Sequence, residues 1–168
     1  MKIVRRHARD FSIASGFEQA GEIYYHKNQG ERQYIQWMFV LSGSVSIKYN
    51  LNGFDGSYHL TEDSIGDLSP TKNLETEWHA GSEGYSFVAF MSSDQEVSYE
   101  SELLDIDKDY QLTPEDKERI IVNLGDPLDC DGKILTNSNF IRLSAGKSCT
   151  LKPVETSSDI VIFRKNGE

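Results

Sequence analysis

The side chains able to do chemistry in this chain are few and scattered. His26 and His79 are the histidines placed for acid–base work, because an imidazole takes up and returns a proton near neutral pH. If their strands pair across a sheet, Glu31 or Glu77 could orient the ring. Tyr34 and Gln36 alternate with Met38 and Val40 on one face of an extended run, and Gln33, Ile35, Trp37, Phe39 and Leu41 take the other face. The first set has two readings. Tyr34 and Gln36 are a hydrogen-bonded pair within a core, or with Met38 and His79 they bind a polar ligand in an apolar cup. Trp37 and Phe39 are either core residues or a subunit interface. Neither histidine is assigned a catalytic role outright, and no metal ligand is assigned.

Other clusters carry weaker signals. Glu75 and Glu77 share a strand face if that segment is extended, where like charges could raise one carboxyl's pKa. Asp105, Asp107 and Asp109 lack the glycine and terminal glutamate of a calcium loop, so a solvated loop is expected. Arg142, between Ile141 and Leu143, reads as an exposed charge. No phosphate-binding loop, dinucleotide glycine fingerprint or paired Cys-x-x-Cys motif is present. Cys130 and Cys149 are the only cysteines, too few for a disulfide scaffold, and either free thiols or a single bridge would fit.

These residues need a scaffold, and composition limits what it can be. The chain has 168 residues, enough for one ordinary core with an appended segment. Eight Tyr, eight Phe and two Trp favour a folded β-rich protein. A net charge of −10 repels phosphate backbones, and the only basic gathering is Lys2, Arg5, Arg6 and Arg9, so nucleic acid is not an expected partner. No apolar run is long enough to span a bilayer, and the start lacks the apolar stretch of a secretory signal. An intracellular, cytoplasmic location is the expectation, with a virion protein sharing the same signature.

Short β-rich runs separated by turns dominate. Ile23–His26, Gln33–Leu41, Ser44–Tyr49, Tyr85–Phe90, Phe140–Leu143, Ser148–Leu151 and Ile160–Phe163 read as strands. Asn52-Gly53 predicts a tight hairpin, and Asp131-Gly132 a second break. Thr113-Pro114-Glu115-Asp116 reads as a helix start, with Glu115 facing Arg119 and Ile120, Ile121 and Leu124 docking the helix. The organisation expected is an N-terminal arm and edge segment over residues 1–22, a β-barrel core over 23–91, an acidic loop and short helix over 92–124, and a C-terminal β segment over 125–168 completing or covering the barrel. No tandem repeat is evident.

The block from Ile23 to Phe90 resembles the cupin superfamily. The resemblance rests on Gln36-Trp37-Met38-Phe39-Val40-Leu41-Ser42-Gly43, with Gly43 seven residues after Gln36, and on Leu60, Gly66-Asp67-Leu68, Pro70 and His79. It implies an all-β, cupin-like double-stranded β-helix or jelly-roll barrel, here with a short helical extension, and it turns the Tyr34–Gln36–Met38 face inward. Family members use two histidines, a carboxylate and a later histidine to hold a metal. Gln36 stands at the carboxylate position, no His-x-His pair precedes it, and only His79 follows in order. A neutral amide is a poor substitute for an anionic ligand. The expectation is therefore a cofactor-free protein that binds a small polar ligand or a protein partner, with a homodimer the simplest assembly. The alternatives are a metal-free isomerase, epimerase or lyase acting on an oxygen-rich small molecule, and an assembly or virion accessory protein.

Overall fold

The structure, a computed structural model, describes residues 2–8, 10–27, 34–67, 74–92 and 99–166. The strands fall into two compact units, residues 1–96 and 97–168. The first holds β1 (Lys2–His7), β2 (Phe11–Glu18), β3 (Ile23–Lys27), β4 (Tyr34–Leu51), β5 (Phe54–Thr61), β6 (Ile65–Asp67) and β7 (Leu74–Ser92). They form one antiparallel sheet in the order β1-β2-β7-β4-β5, with β3 added to β7 and β6 to β4.

The two long strands give this sheet two halves. Tyr85–Ser92 of β7 pairs with β2, and Trp37–Phe39 of β4 lies between β7 and β6. At the other end, the β7 residues Glu75–His79 pair with β3, and Ser44–Leu51 of β4 pairs with β5. Between the halves β4 changes register at Val40/Ser42 and again at Gly43/Val45, the bends that bulges produce. Gly43 (φ +77) and Gly84 (φ +74) take left-handed conformations there, and a side chain on Gly43 would run into the Gly84 carbonyl. The fold-over brings apolar residues of both halves into one core. Ala14, Met38, Val40, Phe87, Ala89 and Met91 come from one side, and Val45, Ile47, Leu60 and Trp78 from the other.

The second unit holds β8 (Tyr99–Ile106), β9 (Tyr110–Leu112), β10 (Arg119–Asn123), β11 (Leu128–Cys130), β12 (Lys133–Leu135), β13 (Phe140–Leu143), β14 (Cys149–Pro153) and β15 (Ser158–Lys165). Its two four-stranded sheets run β13-β10-β15-β8 and β12-β11-β14-β9. Ile106, Ile121, Ile160 and Ile162 of one sheet pack with Leu112, Leu128, Leu135 and Leu151 of the other. Cys130 and Cys149 are free and buried in the same core. Their mutual hydrogen bond, together with burial, holds the Cys130 thiol in its protonated form.

Both units follow one nested pairing plan. In the second unit β8 pairs with β15, β9 with β14, β10 with β13, and β11 with β12. In the first, β2 and β3 pair with the two halves of β7, while the two halves of β4 pair with β6 and β5. The innermost hairpin of each unit turns on a left-handed pair, Asn52 (φ 51)–Gly53 (φ 88) and Asp131 (φ 49)–Gly132 (φ 87), the conformation whose twist matches the flanking strands.

Two expectations are corrected. Among the described residues no sheet closes into a barrel: in the first unit β1 pairs there only with β2, and β5 only with β4, so the ends of the sheet are not joined. The core is sealed by folding the sheet at its bulges rather than by joining its edges, so neither a β-barrel nor a jelly-roll barrel describes it. Nor is there any helix among the described residues. The segment expected to dock as a helix is strand β10, where Ile120-Ile121-Val122 is buried between β13 and β15. A helix would bury one stripe of this run, whereas a central strand buries all of it, and β-branched side chains suit the strand. Glu115 and Arg119 do form an ion pair, 3.2 Å apart, but from a loop to a strand. Glu102-Leu103-Leu104, inside the stretch expected as acidic loop and short helix, lies within β8.

Candidate functional site

Cross-strand partners in an antiparallel sheet project to the same face, so the register sorts the side chains of the first unit. On the inner face of its β3–β5 half lie Val45, Ile47, Leu60 and Trp78, with Tyr24 packed edge-on to Trp78. The outer face is polar and consists of three rows. Ser46 lies between His59 on β5 and His79 on β7. Lys48 lies between Ser57 and Glu77, and Asn50 between Asp55 and Glu75. Strand β3 extends the first two rows with Ile23 opposite His79 and Tyr25 opposite Glu77.

These rows are linked by hydrogen bonds. Ser46 Oγ lies 2.9 Å from His59 Nδ1. Lys48 Nζ donates to Glu77 Oε1 at 3.5 Å, and His79 Nε2 is bonded to the same oxygen. The His79 contact, followed by the nearby Lys48 charge, holds the Glu77 carboxyl below the usual range. Asn50 donates its amide to Asp55 Oδ1 at 2.7 Å and accepts the Gly53 N–H at 3.1 Å, tying the outer face to the hairpin turn.

At this end of the unit lies an open cavity of about 870 Å³, within the range of small-molecule sites. Its walls are Tyr25, Lys48, Tyr49, Asn50, Asp55, Gly56, Ser57, Glu75, Thr76 and Glu77, from four strands. Tyr25 keeps 67% of its surface exposed.

A separate acidic pair lies toward the fold of the sheet. Glu18 ends β2 on the inner face, directly opposite Tyr85, and both are buried. Burial, then the hydrogen bond and charge of Glu22, raise its pKa to about 7. Glu22 is shifted the other way by that bond and by the Gln19 N–H it accepts at 3.1 Å. Burial and the nearby Glu18 push the Tyr85 phenol up.

The sequence-derived candidates are dispersed. Met38 is fully buried in the core. Tyr34 and Gln36 lie in β4, with Gln36 at a register shift between Ile35 and Trp37, and their side chains lie outside the described ones. His26 pairs with Thr76, and its side chain likewise lies outside them, as does Glu31. His79 occupies the outer face beside Glu77, in the register set opposite to that of His26. Trp37 is half-buried opposite Phe90, and Phe39 is 3% exposed opposite Val88. Arg142 is ion-paired to Glu118 at 2.7 Å. The cavity-lining Lys48, Asn50 and Asp55, and the acid Glu18, were not singled out. Tyr25, read as β packing or as a residue reaching a cavity, and Glu75 and Glu77, read as sharing a strand face, do line the cavity.

Among the described residues no group of three or more His, Cys, Asp or Glu side chains is placed to hold a metal ion. No helix among them is long and apolar enough to cross a membrane. No protein-family model and no curated protein matches the sequence. Solved structures do match. AerE from Microcystis aeruginosa superposes with a TM-score of 0.74 at 11% identity, over 98% of this chain and 92% of that one. Oxalate decarboxylase from Bacillus subtilis gives 0.69 at 7% identity, over 92% and 68%. A cupin 2 conserved barrel domain protein from Leptotrichia buccalis gives 0.58 at 9%, over 97% and 88%. At such identities the likeness is one of fold. The chain shares a cupin-like fold with these structures.

Proposed function

We propose that the first unit binds a small polar molecule in the cavity at its hairpin end. The observation that carries this reading is the cavity itself. It combines an exposed aromatic ring with hydroxyl, amide, ammonium and carboxylate groups on a rigid sheet, the mixture that orients a small ligand. The cupin-like fold and the lack of a metal-binding cluster among the described residues fit a metal-independent role of this kind. The folded interior, packed with Met38, Val40, Val45, Ile47 and Trp78, leaves the outer polar end as the favoured place.

A thermal-shift screen of polar metabolites, repeated with Asn50→Ala and Tyr25→Ala, tests the reading. A compound that raises the melting temperature of the parent but not of the variants supports it. A screen in which no compound separates parent from variants refutes it and leaves a protein-interaction role.

One observation favours a second reading, a metal-free proton-transfer enzyme. His79 is oriented by Glu77, and Glu77 also lines the cavity. An imidazole held this way beside a bound oxygen-rich molecule is suited to general base work. Turnover abolished by His79→Ala, with ligand binding kept, would select this reading; equal turnover in the variant would remove it.

A further inference from the structure

We infer that strand β5 is a docking edge for a second copy of this chain, the two β5 strands pairing antiparallel about Ser57. The inference does not rest on the ligand reading.

Among the described residues β5 pairs with β4 and with no other strand. Its backbone groups divide by position. Leu51 and Phe54 flank the two-residue turn Asn52-Gly53, and residues so placed exchange both backbone hydrogen bonds. The ladder runs without a shift to Ser44 and Thr61, so Phe54, Gly56, Tyr58 and Leu60 bond to β4. The N–H and C=O groups of Asp55, Ser57 and His59 face the other way, along the outer edge. All three side chains are exposed, and Phe54 at the start of the strand is 78% exposed. Edge strands are commonly guarded by lysine, proline or a bulge, and β5 contains none of these.

The order of residues along this edge selects its own copy as the partner. In an antiparallel pair centred on Ser57, Asp55 of each copy stands opposite His59 of the other, Gly56 opposite Tyr58, and Phe54 opposite Leu60. These are a carboxylate with an imidazole, a ring over a glycine, and two apolar side chains. Asn50 donates to Oδ1 of Asp55 at 2.7 Å, and Ser46 Oγ lies 2.9 Å from Nδ1 of His59. Oδ2 is then placed to accept and Nε2 to donate across the pair. Other registers lose the match. Moving the centre by one residue sets Asp55 opposite Ser57 or Thr61, and moving it by two sets Asp55 opposite Asp55 or His59 opposite His59. Phe54–Leu60 on each side is far less than a standard interface, so the dimer is expected to be weak and concentration-dependent.

Sedimentation velocity of the full chain from about 5 µM to about 500 µM tests the pairing. A reversible dimer whose share grows with concentration is expected. Ser57→Pro removes an N–H that faces the edge and none that β4 uses, so it should abolish the dimer and leave the melting temperature close to that of the parent. Asp55→His and His59→Asp each set like groups opposite one another twice, so each variant alone should dissociate roughly tenfold more readily. Mixing the two variants restores both matches and should restore the dimer, a result that damage to either fold would not produce. A parent chain that is monomeric at every concentration overturns the inference and leaves the edge to a strand of another protein. A dimer that survives Ser57→Pro overturns it, as does a mixture of the two folded charge variants that stays monomeric. The ligand screen is scored separately: a compound that binds a monomer refutes the pairing alone, and a dimer that answers to no compound refutes the cavity reading alone.

Discussion

Replacing Glu18 by Gln should make the protein more stable at neutral pH and above, the gain growing as pH rises toward about 7 and levelling off beyond it. Glu18 is 4% exposed, and its pKa is raised from 4.5 to about 7 by burial and by Glu22. In the unfolded chain the carboxyl ionises near 4.5, while in the folded chain it keeps its proton until about 7. Stability from this group is thus fully present below the lower value and is lost as pH rises through the upper one. At about 1.4 kcal/mol for each tenfold change in proton affinity, the ceiling is about 3 kcal/mol. Glu22, shifted downward and lying in solvent, contributes with the opposite sign, and solvent screening weakens the coupling, so the loss falls below that ceiling. Glutamine keeps a donor toward Glu22 and has no charge to bury. Urea denaturation at pH 5, 6, 7 and 8 should show parent and Glu18→Gln nearly equal at the lowest pH. The variant should lead by about 1–2 kcal/mol at pH 8. A difference that stays constant from pH 5 to 8 would refute the reasoning, because it would mean Glu18 ionises alike in both states.

Three further outcomes follow from the fold. Gly43→Ala should cost about 2–3 kcal/mol in denaturant unfolding, since Gly43 has φ +77 and its added methyl meets the Gly84 carbonyl; a change below about 0.5 kcal/mol would show that the bend does not depend on glycine. Glu115 accepts from Arg164 at 2.7 and 3.0 Å and from Arg119, which is 1% exposed. Glu115→Gln should therefore destabilise by about 2–4 kcal/mol, by leaving a buried guanidinium without its carboxylate, read from the midpoint of urea unfolding. The fragment 97–168, which contains a full set of nested pairings and its own apolar core, should fold alone; a collapsed amide proton spectrum would contradict that.

The strands and tight turns were legible because their signals are local. Asn52-Gly53 and Asp131-Gly132 specify a left-handed pair wherever they occur, and β-branched runs such as Ile160-Val161-Ile162 suit a sheet in any context. The false helix arose where two local signals competed. Thr113-Pro114-Glu115-Asp116 resembles a helix cap, but the run after it is buried between two strands, and that tertiary pairing prevailed. Strand β2 misleads in another way. Ser12, Ala14, Gly16 and Glu18 share the face turned toward Met38 and Val40, while Phe11 and Ile13, also fully buried, lie on the opposite face. Both faces are covered at the start of this strand, so its large apolar residues mark only one of them and draw attention away from Glu18. The cavity could not be read because its lining residues are ordinary polar residues until the register places them side by side. That register depends on bulges in β4 that no local pattern marks. The repeated plan was hidden because one strand of 18 residues in the first unit does the work of two short strands in the second.

A scaffold drawn twice within one chain separates architecture from chemistry. The later copy is lined by aliphatic side chains such as Leu128, Leu151 and Ile160, and its task can be wholly mechanical. The earlier copy is then free to spend positions on acids, amides and an uncovered ring. Substitutions that alter ligand choice should therefore concentrate before residue 97, and those that only weaken the fold should be tolerated unequally on either side of that boundary.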